Sequence, residues 1–331
     1  MRRNRQPGTV PLAELYAPIR EELEAGRLIL EDELISDQGL ISDLILHVEQ
    51  FHGKLLRPAL LLLVGKACGG LKPQHPVLAA VVELVHVATL VHDDVLDEAD
   101  IRRRAATVNR LWGNERAVLM GDFLYSHAFH LCSSLESQFA SRLVGQTAIT
   151  VCEGEIMQVA NRGNHELDEA EYMDIISRKT AALVEACCQL GARFADADEP
   201  TVRRMRTFGH SLGVAFQIVD DLLDVTGEEA EVGKSLGRDI CEGELTLPLI
   251  HYLRNAMPAQ RTHLLGILRS NDSQRHREVA KLLRDSESVA YAQSVAQEHV
   301  NLANEALATL PPSAARESLC AMADFVLLRR Q

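Results

Sequence analysis

The chain has 331 residues, 47% of them hydrophobic and 24% charged. That is enough apolar material for a sizeable core and argues against global disorder. A net charge of −13 opposes a nucleic-acid footprint, which is normally basic, and the low aromatic content of 4% beside abundant Leu and Ala favours helices over sheet.

Apolar residues recur at helical spacing along almost the whole chain. The basic N-terminus is followed by no apolar signal region, and residues 1–11 are expected to be flexible. Helices are then predicted over 12–34, 40–50, 57–67 and 77–92. The 77–92 segment holds the most apolar run, residues 77–91, which contains Glu83 and His86. A bilayer span needs about 20 apolar residues, so a buried helix and no membrane span are expected. Further helices are predicted over 115–135, 141–159, 171–193, 201–224 and 247–255, then 260–269, 274–285, 286–310 and 314–329. Gly69-Gly70, Pro200 and Pro311-Pro312 mark breaks, and Asp168 with Glu171 spells a capping box. No segment alternates with period two. One all-α domain over residues 1–331 is the simplest organisation. The seven cysteines form no CxxC pair, which fits free thiols in a reducing, cytoplasmic setting.

Two connections stand out. Residues 101–109 form a basic loop, and residues 225–246 are long, Gly-rich and charged. Long loops in compact helical proteins are more often functional than the average connection.

The chemistry gathers beside these loops. Asp93-Asp94-Val95-Leu96-Asp97 ends one apolar helix, and Asp220-Asp221-Leu222-Leu223-Asp224 ends another. In each, the first and last Asp share one helix face at about 5–6 Å. Two such charges repel by up to about 3 kcal/mol at an effective dielectric of about 20. The plain alternative is a pair of solvated acidic helix ends. With 19 Asp in the chain, however, only about 0.06 DDxxD matches arise by chance, and acidic residues at a helix C-terminus oppose its dipole. Hard oxygen ligands at this density suit Mg²⁺, which keeps some waters and bridges carboxylates to phosphates. Two clusters could clamp a diphosphate, and Arg102, Arg103, Lys179 and Lys234 lie close to them in sequence.

At this point the chain resembles the trans-isoprenyl diphosphate synthases of the polyprenyl synthetase family, over about residues 12–325, with the medium- and long-chain type such as octaprenyl diphosphate synthase as the nearest pattern. The resemblance rests on both Asp-rich motifs and on 52–58 (His-Gly-Lys-Leu-Leu-Arg-Pro). It extends to 97–107, Gly121-Asp122, Glu153-Gly154-Glu155, Arg178-Lys179-Thr180, Phe208-Gly209 and 213–224. It implies the isoprenoid-synthase fold, an antiparallel helix barrel around a deep apolar cavity, usually a homodimer. The implied reaction condenses isopentenyl diphosphate with an allylic prenyl diphosphate, geranyl or farnesyl. An allylic diphosphate ionises with Mg²⁺ as Lewis acid, isopentenyl diphosphate attacks the cation, and a proton is lost.

Carried over, Asp93, Asp94, Asp97, Asp220, Asp221 and Asp224 would hold about three Mg²⁺ ions, with Asp94 and Asp221 more often one step removed from metal. Arg102, Lys179 and Lys234 would grip the allylic diphosphate. Lys54, Arg57, His86 and Arg103 would bind isopentenyl diphosphate. Thr180 and Gln217, with Lys179, would face the reacting carbon. For His86 the plain alternative is a histidine satisfied inside its helix. Ala88 and Thr89, one turn before Asp93, lie where short-chain enzymes of the family often carry an aromatic floor. A small residue there implies an open shaft and an all-trans product of about C30–C50. Deeper floor candidates are Phe123, Tyr125 and Phe129. The alternatives are a short-chain farnesyl or geranylgeranyl synthase and a weakly active or regulatory subunit of a heteromeric synthase. A terpene cyclase is disfavoured because its second metal motif is not DDxxD.

Three positions depart from the pattern. Leu55 replaces an Arg, Arg104 and Ala106 replace Gly and Pro, and Glu244 stands where Lys is usual. Glu244 is expected to weaken phosphate binding, or to pair with Arg104.

Overall fold

The computed structural model describes residues 11–51, 53–103, 105–227, 237–270, 272 and 274–328. Its longer helices are α1 (Arg20–Glu33), α2 (Gly39–Val48), α3 (Leu56–Cys68), α4 (Gln74–Leu96), α5 (Asn114–Ser133), α6 (Gln138–Ala160) and α7 (Glu169–Ile176). There follow α8 (Ala182–Phe194), α9 (Glu199–Thr226), α10 (Leu247–Asn255), α11 (Pro258–Leu268), α12 (Arg275–Arg284), α13 (Ser288–Ala308) and α14 (Ala314–Leu328). Short helical turns link some of them. The fold is all-α, as its sequence implies.

The helix centres follow the apolar periodicity, and the differences from it have local causes. The segment 12–34 is not one helix: a four-residue turn and a 3₁₀ turn precede α1, because Pro18 cannot donate a backbone bond inside a continuous helix. Asp168 accepts from the Glu171 N–H at 2.9 Å and completes the capping box that starts α7. The basic loop contains a small antiparallel hairpin, with Ile101 opposite Ala106 and Arg102 opposite Ala105. No period-two pattern announces it, since two residues per strand are too few.

The core is one apolar cluster. Helix α4 sits at its centre, packed against α1, α3 and α5, while α9 packs against α8 and α13. Leu78, Val81, Leu84 and Val87 of α4 are all 1% exposed or less. Among the described residues α4 is the one helix long and apolar enough to cross a membrane, and 67% of its apolar window is buried in the fold. Two long core helices, α4 and α9, carry the Asp motifs at their C-terminal ends.

Candidate active site

The two motifs adopt the same exposure pattern. In each, the middle Asp is buried, Asp94 at 1% and Asp221 at 6%, while Asp93, Asp97, Asp220 and Asp224 are partly exposed. Both buried carboxylates are met by hydrogen-bond donors. Arg102 Nε donates to Asp94 at 2.8 and 3.0 Å. Tyr172 Oη donates to Asp221 Oδ2 at 2.6 Å, and Gln217 Nε2 donates to Asp221 Oδ1 at 2.7 Å. A buried carboxylate requires such partners. The outer two of each motif are partly exposed and carry other partners, Asp97 with Arg162 and Arg238 and Asp224 with backbone N–H groups.

Arg238 ties the two motifs together. Its backbone N–H donates to Asp224 Oδ1 at 3.2 Å, and its guanidinium lies 2.6 Å from Asp97 Oδ2. The Asp239 N–H also donates to Asp224, at 3.1 Å. Asp239 itself is a buried acid whose carboxyl is held well above the usual range, by burial first and by Asp224 and Asp221 next. Burial likewise pushes Asp93 and Asp221 up to about 7, with Glu155 adding to Asp93. The acids are accommodated by protonation and by the cations among them, Arg102, Arg162, Arg238 and Lys179.

Lys179 Nζ lies 3.0 Å from Glu155 Oε2. Burial would lower its pKa, but Glu155 and Asp93 outweigh burial and hold the ammonium firmly charged. Lys179 and Thr180 lie on a π turn, Ser177–Ala181, between α7 and α8. The helix predicted over 171–193 is therefore interrupted at its functional residues, as π-bulges often are. Two glycines make room for the turn. A Cβ on Gly154 of α6 would come within 2.5 Å of the Lys179 backbone N, and one on Gly213 of α9 within 2.6 Å of Ala181 Cα. Thr180 Oγ1 donates to Gln217 Oε1 at 2.7 Å, so Thr180, Gln217, Asp221 and Tyr172 form one hydrogen-bonded chain.

The second basic group is assembled around buried Glu83, 3% exposed, whose charge acts on both Arg57 and Arg103. Arg103 has a left-handed backbone, φ 49°, and its guanidinium donates to the Phe51 carbonyl. Lys54 is exposed, and its carbonyl accepts from Tyr16 Oη at 2.8 Å. Leu55 is also left-handed, φ 47°. His86 is partly buried on α4, and its carbonyl accepts from Thr89 Oγ1 at 2.7 Å. Lys234, Arg104 and His52 lie outside the described residues, as do residues 1–10.

Other sequence expectations are adjusted here. Glu244 meets Arg162, at 3.3 Å, and Gln158; the expected partner Arg104 lies outside the described residues. Ala88 is fully enclosed, at 0% exposed, whereas Thr89 is partly exposed. Phe129 is 40% exposed, which removes it as a cavity floor within the single chain. Burial first, and then nearby charges including Asp93, push the Tyr125 hydroxyl up, so Tyr125 lies in the neighbourhood of the first motif. Tyr172, Arg162, Arg238, Asp239 and Glu155 received no role in the sequence reading. Of these, only Glu155 lies in a quoted motif.

Residues 38–286 match the polyprenyl synthetase family. The chain belongs to that family. It is 34% identical to the octaprenyl diphosphate synthase of Escherichia coli over 90% of this chain and 93% of that one. It is 37% identical to a short-chain isoprenyl diphosphate synthase of Methanothermobacter thermautotrophicus, over 86% and 88%. A polyprenyl synthase from Caulobacter crescentus, solved with calcium and isoprenyl diphosphate, superposes with a TM-score of 0.91 at 31% identity, covering 98% of this chain and 100% of that one.

The carboxylates suit a hard divalent cation. Among the described residues no three acidic, His or Cys groups converge into a ready-made cage.

Proposed function

We propose that the protein is a Mg²⁺-dependent prenyl-elongating transferase that condenses isopentenyl diphosphate with geranyl or farnesyl diphosphate into an all-trans polyprenyl diphosphate of about C30–C50. The observation that carries this is the matched pair of motifs, each with its middle Asp buried and its outer two partly exposed, tied to each other through Arg238. Asp93, Asp97, Asp220 and Asp224 would hold the Mg²⁺ ions. The ions supply Lewis acidity to the departing diphosphate. Asp94 and Asp221 position the ligands beside them.

The residues divide the remaining work. Lys179, firmly charged, and Arg102 meet the allylic diphosphate. Lys54, Arg57 and Arg103, with His86, hold isopentenyl diphosphate on the other side. Thr180 and Gln217 present fixed oxygen dipoles towards the developing allylic cation, where preorganised dipoles are worth most. The proton lost at the end leaves with the released diphosphate. A dry apolar cavity, as the family fold implies, would exclude water from the cation.

Ala88 and Thr89 carry the chain-length assignment because both are small where an aromatic would block growth; of the two only Thr89 is partly exposed, Ala88 being enclosed. Both DDxxD motifs are intact, which separates the chain from non-catalytic partner subunits. Exposed apolar residues on α5 and α6, with Leu119 at 66% and Ile156 at 69%, support a homodimer buried along that face. Seven free cysteines fit a cytoplasmic site. The direct test is diphosphate release from isopentenyl and farnesyl diphosphates with Mg²⁺. Release by the wild type and its loss in Asp93→Asn and Asp220→Asn supports the reading. Equal release by the variants overturns it.

A further inference from the structure

Position 244 looks damaging in sequence, because an acid replaces the expected cation beside the diphosphate site. The structure shows where a compensating charge comes from. Arg162, just beyond the end of α6, has its Nε 3.3 Å from Glu244 Oε1. Its Nη2 lies 2.9 Å from Asp97 Oδ1 and 3.2 Å from Glu242 Oε2. Gln158, one turn earlier, donates to the other oxygen of Glu244. The two backbones are docked as well, with the Gly163 N–H donating to the Gly243 carbonyl at 2.8 Å. Arg162 is thus a three-carboxylate hub that touches the first metal motif directly.

We propose that the site has exchanged its charges: Arg162 on the α6 side supplies the cation that a lysine at 244 would otherwise supply, and Glu244 is the anion that positions it. Glu244 is the positioning residue here: with Glu242 it holds Arg162 at the edge of the first motif, beside Asp97. The groups facing Glu244 include Arg162, Gln158, Lys179 and Glu242, with the buried acids Asp221 and Asp239 close enough to feel its charge. A lysine at 244 would lose its ion pair and meet Arg162 at the contact Glu244 now makes, with Lys179 also near. Arg238, 2.6 Å from Asp97 but without an aligned hydrogen bond from that nitrogen, is a second guanidinium on the same carboxylate and does not reach Glu244.

The inference rests on the elongation reading in taking a diphosphate as the ligand, and its test has an arm that does not. Four full-length variants serve: Glu244→Lys, Arg162→Met, Arg162→Met with Glu244→Met, and Arg162→Met with Glu244→Lys. Metal-free unfolding temperature is the first readout. Either single substitution should lower it, and the Met–Lys double variant should recover at least half of the loss, because the buried charges no longer conflict. Pyrophosphate affinity at fixed, saturating Mg²⁺ is the second. The Met–Met variant, which keeps packing but lacks the cation, should bind about tenfold more weakly. The Met–Lys variant should return to within about threefold of wild type. Glu244→Lys alone behaving as wild type in both readouts overturns the exchange. So does a Met–Met variant that binds pyrophosphate as well as wild type, since Arg162 would then be structural only. Wild-type pyrophosphate binding itself tests the elongation reading, so the two failures are distinguishable.

Discussion

Thr180 Oγ1 donates to Gln217 Oε1 at 2.7 Å, joining the π turn before α8 to the middle of α9. The bond orients the Gln217 amide so that its other end donates to Asp221. One side-chain chain therefore couples Thr180, proposed to face the reacting carbon, to the second Asp motif. Thr180→Val removes the donor and frees the amide to turn. The expected result is a fall in kcat of about tenfold or more with KM little changed, the signature of an interaction made in the transition state. Thr180→Ser, which keeps the hydroxyl, should retain most activity.

Metal and proton compete at this site. Asp93 and Asp221 titrate at about 7 in the metal-free protein, against an ordinary 3.8. Between those values the folded state holds protons that the unfolded chain has released, so these carboxyls make metal-free stability fall as pH rises through that window. Mg²⁺ binds the deprotonated carboxylates. The rise in unfolding temperature caused by Mg²⁺ should therefore grow from about pH 6 to about pH 8. A Mg²⁺ effect that is flat over that range would contradict the assignment.

The π turn is gripped between two glycines, and that grip is testable. Gly154→Ala would place a methyl group against the Lys179 backbone. Neither neighbour is the tip of a flexible side chain, so Lys179 and Thr180 must shift. Activity should fall more than tenfold while the protein stays folded, since a displacement of about 1 Å near the chemistry can cost about a hundredfold. Circular dichroism and steady-state kinetics on the same sample check both halves.

Chain length is best probed at Thr89. Ala88 is fully enclosed, and Ala88→Phe would overpack the core at a cost of about 1–3 kcal/mol. Thr89→Phe enters partly open space. Both should shorten the product, Thr89→Phe with the smaller loss of stability. Reversed-phase sizing of dephosphorylated products reads the outcome, and an unchanged distribution in both would sink the shaft assignment.

What the sequence discloses about this protein follows chain proximity. The Asp motifs, the capping box at Asp168 and the buried character of α4 are local patterns, and each is where the sequence puts it. Tyr172 lies 49 residues from the Asp221 it supports, and Arg162 lies 82 residues from Glu244. No spacing rule connects such pairs, because only the packing of α6, α7 and α9 brings them together. The π turn was hidden for a different reason. Its five residues continue the helical periodicity of their flanks, and the glycines that accommodate it sit on other helices. Glu244 shows the cost of reading charge without its neighbours: taken alone it predicts weaker phosphate binding, whereas in the fold it is neutralised from across the cleft.

The central claim, a Mg²⁺-dependent chain-elongating synthase, is tested most directly by product analysis. Purified full-length protein is incubated with Mg²⁺, isopentenyl diphosphate and either geranyl or farnesyl diphosphate, and the products are sized by mass spectrometry. The account predicts all-trans polyprenyl diphosphates clustered within about C30–C50, formed only when Mg²⁺ is present. Failure to elongate either primer, or products that stop at C15 or C20, would contradict it.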